Sequence, residues 1–121
     1  MIKILYISPV GGGRYLDDMA KIVDAGRRNE TIIDLITFPE DRPTHLEYHS
    51  YEALVLPDIL HHVVAAANKY DAVIIGGYYD VGLREAREVS GNTVVIGPCE
   101  ATTAIARALG NRFSVIVGRQ K

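Results

Sequence analysis

The stretch from Asp71 to Val89 constrains this chain more than any other. It reads Asp71-Ala-Val-Ile-Ile-Gly-Gly-Tyr-Tyr-Asp-Val-Gly-Leu-Arg-Glu-Ala-Arg-Glu-Val89: an apolar run, a turn containing glycine, then a pattern of helical period. A strand that ends in glycine and feeds a helix is the building unit of parallel α/β sheets, whose ligands sit at that carboxyl end. The rest of the chain repeats the unit. Residues 2–8 form an Ile-rich run stopped by Pro9 and Gly11-Gly-Gly13, which predicts a buried strand. From Tyr15 the apolar residues Leu16, Met19, Ile22 and Val23 recur at helical spacing, with Asp17 and Asp18 near the favourable end. Thr31–Thr37 is a β-branched second strand, and residues 38–47 are a polar loop with two prolines. Asp58 is placed to cap a helix whose apolar face is Ile59, Leu60, Val63, Val64 and Ala67. Residues 72–76 and 93–97 read as strands on either side of a short helix over about 82–90. Pro98 then opens a helix that Gly110 terminates, and Phe113–Val117 reads as a fifth strand.

Strands separated by helix-length segments pair in parallel through right-handed crossovers. Near-continuous apolar strands are covered on both faces. The expected architecture is a three-layer α/β/α sandwich around a mostly parallel sheet of about five strands, one domain over residues 1–121. The chain stops shortly after the fifth apolar run, which suggests half of something larger.

The totals exclude several function classes. A net charge of −2 and a pI near 6.0, with the basic residues scattered, leave no footprint for nucleic acid or an anionic membrane. No apolar run is long enough to span a bilayer, and the apolar N-terminus is too short for a secretion signal. The single cysteine, Cys99, forms no internal disulfide, which fits a reducing cytoplasm. His45 and His49 are four apart, and His61-His62 follows, but no carboxylate or thiol completes a metal-ligand spacing. Gly11-Gly-Gly13 lacks the Gly-Lys-Ser/Thr ending of a phosphate loop, so the glycines are expected to let the chain turn sharply near a small anion, with Ser8 as donor.

Several stretches in order resemble one family. They are Ile7-Ser-Pro-Val-Gly11 after the first strand, Leu46-Glu-Tyr-His-Ser-Tyr-Glu-Ala-Leu54, Tyr70-Asp-Ala-Val73, Gly77-Tyr-Tyr-Asp-Val-Gly-Leu83, Val95-Ile-Gly-Pro-Cys-Glu-Ala101 and Ala108-Leu-Gly-Asn-Arg-Phe-Ser-Val115. Together they resemble the N-terminal half of the aspartate/glutamate/hydantoin racemases. The resemblance implies a flavodoxin-like sheet or a single racemase lobe, and cofactor-independent carbon-acid chemistry on amino acids or hydantoins. Racemases of this family place two thiols on opposite faces of the substrate, because inverting a carbon acid takes a base on one side and an acid on the other. At the family's first thiol position this chain has Gly77. The resemblance therefore implies an incomplete site for two-thiol racemisation. The ligand is expected to be a small carboxylate or cyclic amide, with pairing of two copies as a homodimer. The competing expectation is a non-catalytic carboxylate-binding or dimerisation module.

The candidate site residues each have two readings. Ser8, Pro9 and Gly11 form the first turn. Gly77 either shapes an oxyanion pocket or only turns the chain. Tyr78 and Tyr79 line the pocket or pack against the sheet, and Asp80 belongs to the same turn. Cys99, just inside a helix N-terminus, is the one conceivable nucleophile, or else a small buried apolar residue. Glu100 beside it caps the helix or accepts a proton.

Overall fold

A computed structural model describes residues 1–118 of the chain. Four strands and four helices alternate: β1 (Ile2–Gly11), α1 (Leu16–Gly26), β2 (Thr31–Phe38), α2 (His49–Ala66), β3 (Ala72–Ile75), α3 (Leu83–Val89), β4 (Val94–Ile96) and α4 (Pro98–Leu109). The strands form one sheet in the order β2-β1-β3-β4, every pair parallel. The α/β class, the parallel pairing and the alternation follow the sequence pattern.

The core lies on one face of that sheet. Leu5 and Ile7 of β1, Val73 and Ile75 of β3 and Val95 of β4 point to it, as the period of two requires. Val55, Ile59, Val63 and Ala66 of α2 cover it, with Leu83 and Ala86 of α3 beside them. The chain leaves β1 toward β2 in one direction and returns past β1 to β3 in the other. Right-handed crossovers therefore put α1 on the opposite face from α2. Neither α1 nor α4 has a buried residue.

Three expectations change. The second helix begins at His49, well before Asp58, and runs through Pro57. A proline inside a helix costs about 3 kcal/mol, and the added turns offset it by burying Val55 one turn before Ile59 on the same face. Asp58 is then no cap: its carboxylate takes the Arg42 Nε hydrogen bond at 2.6 Å and holds the 38–47 loop to α2. The first strand runs on through Pro9 to Gly11, with its register to β2 shifted between Ser8 and Gly11. The fifth strand does not form. Residues 111–118 have no ladder partner, and Ile116 is 99% exposed. The segment has strand-forming residues, but the neighbouring edge strand β4 is three residues long and its Val94 is 57% exposed, which gives a fifth strand little to pair with or pack on. Among the described residues, no helix is long and apolar enough to cross a membrane.

Candidate functional site

Where a doubly wound sheet reverses direction, the loops leaving the two neighbouring strands part and open a crevice at their carboxyl ends. Here that point lies between β1 and β3. The turn after β1 is drawn in tightly. The Gly11 amide donates to the Pro43 carbonyl at 2.8 Å and the Gly12 amide to the Phe38 carbonyl at 3.1 Å. The Thr37 hydroxyl, at the end of β2, lies 2.7 Å from the Val10 carbonyl and 2.8 Å from the Gly12 carbonyl. A Cβ on Gly11 would stand 2.8 Å from the Pro39 carbonyl oxygen, so a side chain there would force the loops apart.

The turn after β3 is built on two glycines with different reasons. Gly76 donates its amide to the Ile7 carbonyl at 2.8 Å, and a Cβ on it would meet that same oxygen at 2.9 Å and the Tyr6 hydroxyl at 2.8 Å. Burial pushes the Tyr6 phenol above its ordinary pKa. Gly77 has room, its nearest neighbour being Pro9 Cγ at 3.8 Å, but its φ of +87° is a conformation that L side chains rarely adopt. Gly77 is thus more than a cysteine shorn of its side chain. The backbone itself is set for glycine.

Between these turns lies a cavity of about 610 Å³. Ser8, Pro9 and Gly11 line it from the first turn and Gly77, Tyr78 and Tyr79 from the second, so six of the expected residues come together. Three others do not reach it. The Asp80 side chain turns away to α4, where its two oxygens accept the backbone N–H groups of Cys99 at 2.9 Å and Glu100 at 2.8 Å. Asp80 is the cap of α4, supplied from the turn after β3. Its own φ of +52° is a left-handed conformation that aspartate tolerates better than most residues. Cys99 is half-buried at that capped end, and the Asp80 carboxylate already takes its backbone amide. Glu100 pairs with Arg87, whose guanidinium also donates to the Val95 carbonyl at 3.1 and 3.2 Å. The Arg87–Glu100 hydrogen bond holds the Glu100 carboxyl below its usual range and the Arg87 guanidinium above its own. Asp80, Arg87 and Glu100 instead border a second depression of about 850 Å³, which also takes in His49 and Arg84.

Sequence reasoning missed the outer wall of the first cavity. Arg14 and Tyr15 close it from the start of α1, and Thr44, His45, Leu46 and Glu47 from the loop after β2. The His45 ring packs against Tyr51, at 5.0 Å between centroids, and against Tyr48 at 6.0 Å. His49 instead lies 3.1 Å from Glu52, so the two histidines read as a possible metal pair serve different sites. No group of three His, Cys, Asp or Glu side chains suited to a metal occurs among the described residues. The available signal was positional. Loops after β1, β2 and β3 all emerge at one edge of a parallel sheet, and β2 neighbours β1.

Comparison with known proteins matches this arrangement to a family. A family model described as Asp/Glu/Hydantoin racemase matches residues 4–120. A hydantoin racemase from Rhizobium meliloti is 38% identical over 79 residues, covering 64% of this chain and 32% of that protein. The solved structure of allantoin racemase from Klebsiella pneumoniae aligns with a TM-score of 0.76 at 25% identity, over 89% of this chain and 44% of that one. The chain spans less than half the length of each of these two relatives. It belongs to the Asp/Glu/hydantoin racemase family.

Proposed function

We propose that this member of the racemase family forms one wall of a cofactor-independent carbon-acid site for small carboxylates or cyclic amides, and that it does not racemise by the two-thiol route. One observation carries the reading: the cavity at the β1/β3 crevice is built from glycine turns and hydroxyl groups, and no thiol lines it. Its size is in the range of small-molecule sites, which start at about 300 Å³. The Gly11, Gly12 and Gly76 amides are taken by backbone carbonyls, which leaves the hydroxyl groups as the donors that would stabilise an enolate-like oxygen. The Ser8 side chain is buried at the cavity wall and the Gly76 and Gly77 backbone forms the opposite rim. The chemistry is that of an isomerase family, carried out in a reducing cytoplasm. Cys99 lies outside the cavity and is given no part in the proton transfer.

The test uses each hand of a 5-substituted hydantoin, of aspartate and of glutamate, with chiral chromatography for turnover and calorimetry for binding. Binding of at least one of them, without interconversion of its two hands, is expected. Interconversion by the native chain that Cys99→Ala abolishes would overturn the claim that the thiol route is lost.

The second reading is a module that pairs with another copy of itself. It is favoured by the apolar side chains left exposed along α4 and the β4 edge, where Ile105 is 60% and Leu109 84% exposed. Sedimentation at micromolar concentration decides it: a dimer supports pairing, and a monomer rejects it.

A further inference from the structure

A carbon-acid site without a thiol needs another group to take the proton. The first cavity holds three lining side chains of ionisable acid, base or cation type besides its tyrosines: Arg14, His45 and Glu47. Imidazole is the side chain that accepts and returns a proton near neutral pH, whereas a carboxylate is a weak base toward carbon and a guanidinium is not a base at all. The His45 ring is held from the side by Tyr48 and Tyr51, and its nitrogens make no hydrogen bond to the described residues. An exposed imidazole on the cavity lining, packed against two tyrosines and with its nitrogens unengaged by the described residues, has the form of a general base awaiting its substrate. Arg14 lies over the Tyr15 ring at 5.2 Å and makes no ion pair with the described residues, so its charge is available to an anion in the same cavity.

Building on the carbon-acid reading above, we infer that His45 is the catalytic base of this cavity, standing in for the thiol that Gly77 lacks, and that Arg14 stabilises the oxyanion it generates. The imidazole nitrogen takes the hydrogen on the carbon next to the substrate carbonyl as a proton. The electron pair of the broken C–H bond moves into the ring or carboxyl π-system and leaves the carbonyl oxygen negative beside the guanidinium. The proton then returns from the same imidazole to the same carbon, or a solvent deuteron replaces it. No redox partner or cofactor enters. With a base on one face only, hydrogen exchange outruns inversion. The outcome is exchange with retention of hand, which separates this site from a two-base racemase.

The experiment follows the α-hydrogen of each hand of a 5-substituted hydantoin by proton NMR in heavy water. Native protein, His45→Gln, Arg14→Gln and Cys99→Ala are run in parallel, with optical rotation of the same samples and calorimetry for binding. Expected is protein-dependent exchange of one hand with its rotation kept. Exchange falls about 100-fold or more in His45→Gln and persists in Cys99→Ala, and binding survives in His45→Gln. Exchange at the native rate in His45→Gln overturns the assignment and leaves the site reading intact. Binding with no exchange by native protein overturns the base and leaves a binding pocket. Neither binding nor exchange by native protein overturns the site reading itself.

Discussion

The two faces of the sheet are built to different standards. Under α2 and α3, Ile7, Val55, Ile59, Val63, Val73 and Ile75 are fully enclosed. On the other face α1 has no buried residue and Ile22 is 72% exposed. The same chain thus has one face packed to the standard of a complete core and one only lightly covered. Folding energy is concentrated on the first face. The candidate site sits where the two meet, at the carboxyl edge, with the Gly76 turn braced on Tyr6 and the outer wall supplied by α1 and the loop after β2.

The widest contrast comes from paired truncations. Ile59→Ala is expected to cost about 2–5 kcal/mol, read as a lowered urea midpoint, while Ile22→Ala on α1 stays within about 0.5 kcal/mol. A similar loss at Ile22 would show that the second face is packed in solution. Next in size is the β3 turn. Gly76→Ala must displace the Tyr6 hydroxyl or the Ile7 carbonyl, with a loss of about 1–3 kcal/mol. Gly77→Cys meets no obstacle but must hold a cysteine at φ +87°, for about 1–2 kcal/mol. Ordering Gly76 above Gly77 sharpens the distinction between steric and conformational demand, and the reverse order would break it. Asp80→Ala removes the α4 cap and should cost about 0.5–2 kcal/mol, with the earliest loss in hydrogen-exchange protection at Cys99 and Glu100.

The smallest effect is electrostatic. The Arg87 hydrogen bond lowers the folded pKa of Glu100 below its ordinary 4.5. A depressed carboxylate contributes stability at pH above that ordinary value and loses it as pH falls through the depressed one. The pair is exposed, so the loss is slight. Comparing the acid limb of the urea midpoint in native protein and Glu100→Gln detects it: the variant should start slightly lower at neutral pH and fall less. Equal slopes would show that the Arg87–Glu100 pair adds nothing to stability.

Most of the fold was legible because strand-length apolar runs and helical periods are local signals, and Pro98 and Gly110 mark the ends of α4 where they stand. What misled was local too. Pro57 reads as a boundary, yet the burial of Val55 carries the helix through it. Phe113–Val117 is strand-forming in composition, but a strand exists only where a ladder accepts it. The site was half legible for a related reason. Ser8, Pro9, Gly11, Gly77, Tyr78 and Tyr79 follow from strand ends, whereas His45 and Arg14 reach the cavity through the spatial order of β2 and β1. The Asp80 cap spans 19 residues of sequence, and no spacing rule anticipates it.

The most direct measurement is an amide chemical-shift titration of the native protein with the bound hand of a 5-substituted hydantoin. Perturbations grouped at 8–14, 44–47 and 76–79 are expected, with Cys99 and the α4 N-terminus unchanged. Shifts centred on Cys99 and Glu100, with the β1 and β3 turns silent, would contradict that placement.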